Sequence, residues 1–329
     1  MPGRRRELLL VLGAALGALF LYLAVRRLDW AGFAAELERA RVGQVALGAV
    51  CLFAFYGVKA ERWKHLIAPF ARASGRDLQP AVLAGLAGNF LFPHFGEVAR
   101  AVLASRTLDV APSALLGSIA IERFFDFLSL LVIVLVVLLP LGRIDDEIRA
   151  ASYAAAALCV IFMAGVALFL FRTEACIGIA SRVAAPFSKK LARKAAYHLG
   201  HARVGLGAIG APRLLARIFG WSVLQWVAIL GCVVFSLRAV DAPAAIAGAV
   251  SVLLLNVIGL TLPAAPGHVG TVQLAFIAGL SPFGVAREEA FAASVIYNAL
   301  MVVPTIILGF PGLRRAGAEL RARLAPDRG

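Results

Sequence analysis

Five charged side chains crowd a stretch that is otherwise apolar. Glu97 and Arg100 directly follow an interruption at Pro93-His94-Phe95-Gly96, and Glu122, Arg123 and Asp126 come one segment later. A charge at membrane depth costs from about 2.5 kcal/mol upward, so such a group faces a cavity or a partner. Glu97 and Arg100 are three apart and share a helix face. Glu122 and Asp126 are four apart and share another, with Arg123 roughly a quarter turn away. An isolated acid here would be neutralised, whereas members of a set stay ionised by pairing. Two readings are open and compatible. The set staples the interrupted segment to the next span, or Arg100 or Arg123 also receives an anionic head group, to which the rigid donor fork of arginine is suited.

A second interruption, Pro263-Ala-Ala-Pro266-Gly267-His268-Val269-Gly270, carries no fixed charge. Asn256, His268, Thr271 and Gln273 are the polar groups around it. Helices starting after Gly96 and Gly270 would aim backbone N–H groups at the two breaks, an arrangement that receives anions. His94 and His268 read as hydrogen-bonded histidines, with a proton relay as the alternative. Asn298 reads as a contact between helices. Catalysis has little support: there is no HExxH, GxSxG or P-loop pattern and no Asp-rich stretch for Mg²⁺. No catalytic residue, metal or cofactor is expected: Glu122 and Asp126 alone are a weak metal signal, and the two arginines nearby argue against it. Cys51, Cys159, Cys176 and Cys232 match no metal or redox spacing and read as packing residues.

The elements that hold these residues follow from hydropathy. The 329-residue chain is 61% hydrophobic and 16% charged, with a mean hydropathy of +0.86, outside the soluble range. Apolar runs of about 20 residues recur, the length of a membrane-crossing helix. The strand alternation of a β-barrel is absent. The net charge of +14 has no soluble basic domain to carry it, which excludes a nucleic-acid reading. The basic residues lie between apolar segments, as the positive-inside rule requires.

In order, spans are expected at Leu8 to Val25, Val42 to Val58, Pro112 to Leu139, Ala151 to Phe171, Leu214 to Leu237 and Glu288 to Phe310. Asp29 to Arg41 reads as a short surface helix. Lys59, Glu61, Arg62, Trp63 and Lys64 read as an interfacial anchor. Residues 172–217 are strongly basic and suit the inner leaflet and its anionic lipids. Pro80 to Phe92, about 13 residues, is short for a span and suggests a re-entrant segment. With the segment after Gly96 it forms a pair over about 80–106, and 244–281 forms a second around Pro263, Pro266, Gly267 and Gly270. The expected fold is all-α and polytopic, with six full spans and two oppositely oriented re-entrant hairpins. Residues 1–149 and 150–329 then form an inverted repeat, the pattern of a transporter with its site between the halves. Both termini are expected in the cytoplasm.

Three motifs in order carry a resemblance over nearly the whole chain. They are Asn89, Pro93, Gly96, Glu97 and Arg100; then Glu122, Arg123 and Asp126; then Pro263, Pro266, Gly267 and Gly270. The chain resembles the lysylphosphatidylglycerol synthase transmembrane-region family, flippase-like membrane proteins. The resemblance implies movement of a phospholipid or lipid-linked substrate, phosphate-bearing or aminoacylated, in the bacterial inner membrane. It implies transport without synthesis, since the soluble aminoacyl-transferase domain of fused relatives does not follow here, and it is compatible with a homodimer. Its substrate-binding residues would be Asn89, His94, Glu97, Arg100, Glu122, Arg123, Asp126, Asn256, His268 and Gln273. Gln273 and Asn298 stand where many members carry Glu and Arg. A small-anion transporter, a head-group enzyme and a non-catalytic partner of a lipid or glycan synthase are the alternatives.

Overall fold

The computed structural model describes residues 15–91, 95–138, 212–243, 246–260 and 265–324, with a few positions between 157 and 165. Among the described residues every regular element is helical. The helices are α1 (Ala15–Val25), α2 (Trp30–Glu38), α3 (Val42–Ile67), α4 (Gly75–Leu91), α5 (Phe95–Leu108) and α6 (Pro112–Leu138). After them come α7 (Pro212–Ala239), α8 (Ile246–Leu260), α9 (Thr271–Leu280) and α10 (Arg287–Leu324). Helices α3, α7 and α10 are long and apolar enough to cross a membrane. α6 matches them in length but carries Glu122, Arg123 and Asp126. This is the construction of a polytopic membrane protein. The expected span Ala151 to Phe171, most of the basic stretch 172–217, and Pro93, His94 and Pro263 lie outside the described residues.

Local signals set the helix ends. The Asp29 carboxylate accepts from the Ala31 amide at 3.0 Å and starts α2. Before α4, Ser74 Oγ accepts from the Asp77 amide at 3.2 Å and the Asp77 carboxylate accepts from the Ser74 amide at 2.9 Å, a reciprocal cap. α3 does not stop at Val58: it continues to Ile67. Its buried stripe of Leu52, Phe55, Tyr56, Lys59, Arg62, Trp63 and Leu66 keeps helical spacing through the charged residues. The expected anchor is therefore half wrong. Glu61 and Lys64 pair with each other at a partly exposed site, 2.9 Å apart, while Lys59, Arg62 and Trp63 turn inward.

Packing relies on small residues, as expected where lipid removes the hydrophobic drive between helices. A Cβ on Gly231 of α7 would meet Cys51 Sγ of α3 at 2.7 Å, so these helices lie close. They run antiparallel, with Arg41 and Asp241 paired at 2.6 Å at one end. α10 connects the two ends of the molecule. Its N-terminal Arg287 donates to the Leu23 carbonyl at 2.6 Å, and its far end offers Glu319 to Arg106 at 2.5 Å. The outer ends of α4 and α5 therefore lie at the C-terminal end of α10, and those of α8 and α9 at its N-terminal end.

Candidate functional site

Glu122 is the centre of the charged cluster and is fully buried. Its Oε1 receives Lys59 Nζ at 2.6 Å and lies 3.0 Å from Arg62 Nη2, while Oε2 receives Arg100 Nη2 at 2.8 Å. Asp126, one turn on, takes Arg62 Nη1 at 2.5 Å and Gln225 Nε2 at 3.1 Å on the same oxygen. Its main-chain carbonyl accepts from Trp226 Nε1 at 2.9 Å. Arg62 Nη1 also donates to Ser222 Oγ at 2.9 Å. Helices α3, α5, α6 and α7 are thus tied at one level. Breaking such a buried pair leaves an uncompensated charge, at about 3–5 kcal/mol.

Arg123 and Glu97 form the outer part. Arg123 Nη2 lies 3.2 Å from Glu97 Oε1, and Nη1 lies 3.3 Å from Asp126 Oδ2. Asn89 Nδ2 donates to the same Glu97 oxygen at 3.2 Å. The Asn89 amide oxygen accepts from the Gly96 amide at 2.8 Å, so Asn89 ends α4 and caps α5 at once. Sequence spacing pairs Arg100 with Glu97; the structure does not. Arg100 turns to Glu122, and its guanidinium lies 4.8 Å from the centroid of the Trp63 ring, a cation–π contact. The anion-receiving helix start expected at Gly96 already has Asn89 on one of its N–H groups.

The second break is held by its backbone. Gly267 and Gly270 have φ of 70° and 88°, values that glycine adopts freely, and His268 shares that region at 56°. Gln273 Oε1 accepts from the Gly270 amide at 2.6 Å, so Gln273 caps α9. Gly259 of α8 lies against the Thr271 methyl group, and Asn256 is buried one turn from it, its amide without a partner. The His268 ring meets Phe90 of α4 edge-on, centroids 5.4 Å apart. The end of α4 therefore touches the second break. Between them and α10 lies a cleft of about 490 Å³ with mostly apolar walls, including Phe90, Val295 and Val302, and with Gln273 and Asn298 as polar members. Asn298, read from the sequence as a contact between helices, faces this space. Lys59, Arg62, Trp63, Ser222, Gln225 and Trp226 are site residues that the sequence reading missed.

The chain matches the lysylphosphatidylglycerol synthase TM region family over residues 10–309. It belongs to that family. It is also 25% identical over 353 aligned residues to glycosyltransferase AglD of Haloferax volcanii, with 94% of this chain and 54% of that protein covered. The chain spans about half the length of that curated relative. The family match takes in all the charged residues of the cluster and both breaks, so the lysylphosphatidylglycerol synthase TM region contains the whole candidate site.

Proposed function

We propose that this protein moves an amphipathic, phosphate-bearing lipid between the leaflets of a bacterial inner membrane, with both termini in the cytoplasm. One observation carries the reading. The end of α4 and the turn before α9 meet beside an apolar cleft, and Asn89, next to Phe90, holds Glu97 of the cation-rich cluster. Apolar walls suit lipid chains, and arginine suits a phosphate. We read the two broken pairs as re-entrant hairpins from opposite faces and residues 1–149 and 150–329 as an inverted repeat. At 1.5 Å per residue the 17 residues of α4 and 10 of α9 reach about 26 and 15 Å, short of the roughly 30 Å hydrocarbon core. Irregular backbone at that depth is tolerated where protein or a water-filled cavity covers it. No catalytic role is assigned to the cluster. The basic stretch 172–217 is read as a binding surface for anionic lipid.

The match to a protein named as a glycosyltransferase supports a second reading, a membrane part that works beside a glycosyl-transfer activity. Reconstitution separates the two. Vesicles holding the protein and fluorescent phosphatidylglycerol should lose more than half their signal to an external quencher, whereas protein-free vesicles lose only the outer half. Loss of no more than half in both would sink the transport reading and leave the second.

A further inference from the structure

Among the described residues the buried cluster is one negative charge short. Lys59, Arg62, Arg100 and Arg123 bring four positive charges; Glu97, Glu122 and Asp126 bring three negative ones. The neighbouring elements do not correct the balance. α4 contributes the neutral Asn89, and α7 the neutral Ser222 and Gln225. Glu61 of α3 is turned away to Lys64. Burial of a net charge in a helix bundle is unfavourable unless a partner completes it.

The cations differ in how firmly they are held. The side chains of Lys59, Arg62 and Arg100 are 5%, 0% and 3% exposed, with ion pairs of 2.5–3.0 Å. Arg123 is 37% exposed, with ion pairs of 3.2 and 3.3 Å. Donors are also in excess: Nε and Nη1 of Arg100 and Nε of Arg123 are buried without a hydrogen-bond partner. Among the described residues Glu97 makes its ion pair with Arg123 alone, through one oxygen while its other oxygen has no partner. Asp126 also holds Arg62, so Glu97 is the acid that can let Arg123 go without freeing a second cation.

We infer that the cluster is a receptor for one singly charged oxyanion of the phosphodiester type, which docks on Arg123 and brings the cluster to neutrality. A doubly charged head group would overshoot by one, and a zwitterion would add no net charge. Arg100, Arg62 and Lys59 are then the fixed floor of the site, and Glu97 is a placeholder that sets affinity. The inference rests on the lipid reading only for the source of the anion, since a free phosphate monoanion offers the same chemistry.

The test uses the full-length protein in uncharged detergent, titrated with short-chain phosphatidylglycerol, phosphatidylcholine or sodium phosphate, all at a mildly acidic pH where phosphate is mainly the monoanion, and followed by binding and thermal melting. Phosphatidylglycerol should bind and raise the melting temperature, and phosphatidylcholine should not. Arg123→Gln removes the surplus charge and should bind phosphatidylglycerol about tenfold more weakly, whereas Arg123→Lys keeps it and should bind nearly as wild type. Glu97→Gln raises the surplus from one to two and should bind about tenfold more tightly, even if it melts lower. A purely structural cluster gives no such gain. Wild-type affinity in Arg123→Gln, or equal or weaker affinity in Glu97→Gln, overturns the inference. If sodium phosphate replaces the lipid fully, the charge inference stands and the lipid reading falls. If no anion binds while vesicles still show translocation, the reverse holds.

Discussion

The Phe90 ring sits edge-on to the His268 imidazole with centroids 5.4 Å apart, so the end of α4 reaches the turn that precedes α9. Residues 178 positions apart in sequence become neighbours, Phe90 in the last turn of α4 and His268 in the short turn before α9. A Phe90→Cys and His268→Cys pair, in a background freed of the four natural cysteines, should therefore form a disulfide under mild oxidation in membranes. Translocation should stop when it forms and return on reduction. Absence of the cross-link under conditions that oxidise an exposed control pair would put the two residues apart.

Glu122 takes ion pairs from three cations at full burial, which makes it the structural keystone of the cluster. Glu122→Gln should lower stability by about 3–5 kcal/mol, read as a large drop in melting temperature in detergent. Gln225→Ala, which removes one neutral donor to Asp126, should cost only about 1–3 kcal/mol. Equal effects would remove the special place given to Glu122.

Arg100 is paired and stacked, so its loss should be felt by the fold. Arg100→Lys keeps the charge but loses the planar contact with Trp63, worth about 0.5–2 kcal/mol. Translocation and melting temperature should fall together. A variant that melts as wild type but fails to translocate would show direct contact between Arg100 and the lipid.

Gly96 lies where the hairpin backbones are closest. A Cβ there would overlap the Gly85 carbonyl oxygen and come within 2.6 Å of Asn89 Oδ1. Gly96→Ala should therefore separate α4 from α5 and cost at least about 2–3 kcal/mol. Asn89→Ala, which removes only the cap, should cost about 1 kcal/mol. The melting temperatures should keep that order.

Sidedness gives a direct check on the re-entrant reading. Ser74 and Thr107 are exposed at the outer ends of α4 and α5, and Asp241 is exposed at the far end of α7. Single cysteines at Ser74 and Thr107 should react from one side of the membrane, and one at Asp241 from the other. Labelling of Ser74 and Thr107 from opposite sides would make the pair a single crossing.

Much of this was legible in the sequence because lipid leaves few choices. Long apolar runs had to be helices, Pro and Gly marked both breaks, and charges amid apolar residues had to find each other. What was missed came from reading position along the chain as depth. Lys59, Arg62 and Trp63 stand near a helix end, where basic and aromatic residues usually meet water. Lys59 lies three and four residues after Tyr56 and Phe55, and Arg62 and Trp63 three and four after Lys59, which already placed all three on the buried stripe. The Arg100–Glu97 pairing failed for another reason. Sharing a helix face permits an ion pair, but the fully buried carboxylate of Glu122 on α6 needs cationic donors more than the partly exposed Glu97 does, and it takes Arg100. Nothing local could identify Gln225 or Trp226 as partners of Asp126, since they are about 100 residues away.

The last helix gives the order of assembly a particular shape. Gly309 and Gly312 of α10 lie against Leu83, Ala87, Ala84 and Pro80 of α4, and Leu313 reaches Gly88. At about 5–20 residues per second, the ribosome supplies those partners tens of seconds after α4. Until then the first hairpin has a bare small-residue groove and no lid. A nascent chain halted before Gly309 would be a ready substrate for membrane proteases, so C-terminal nonsense mutations should remove the protein from the membrane altogether instead of leaving a truncated form there.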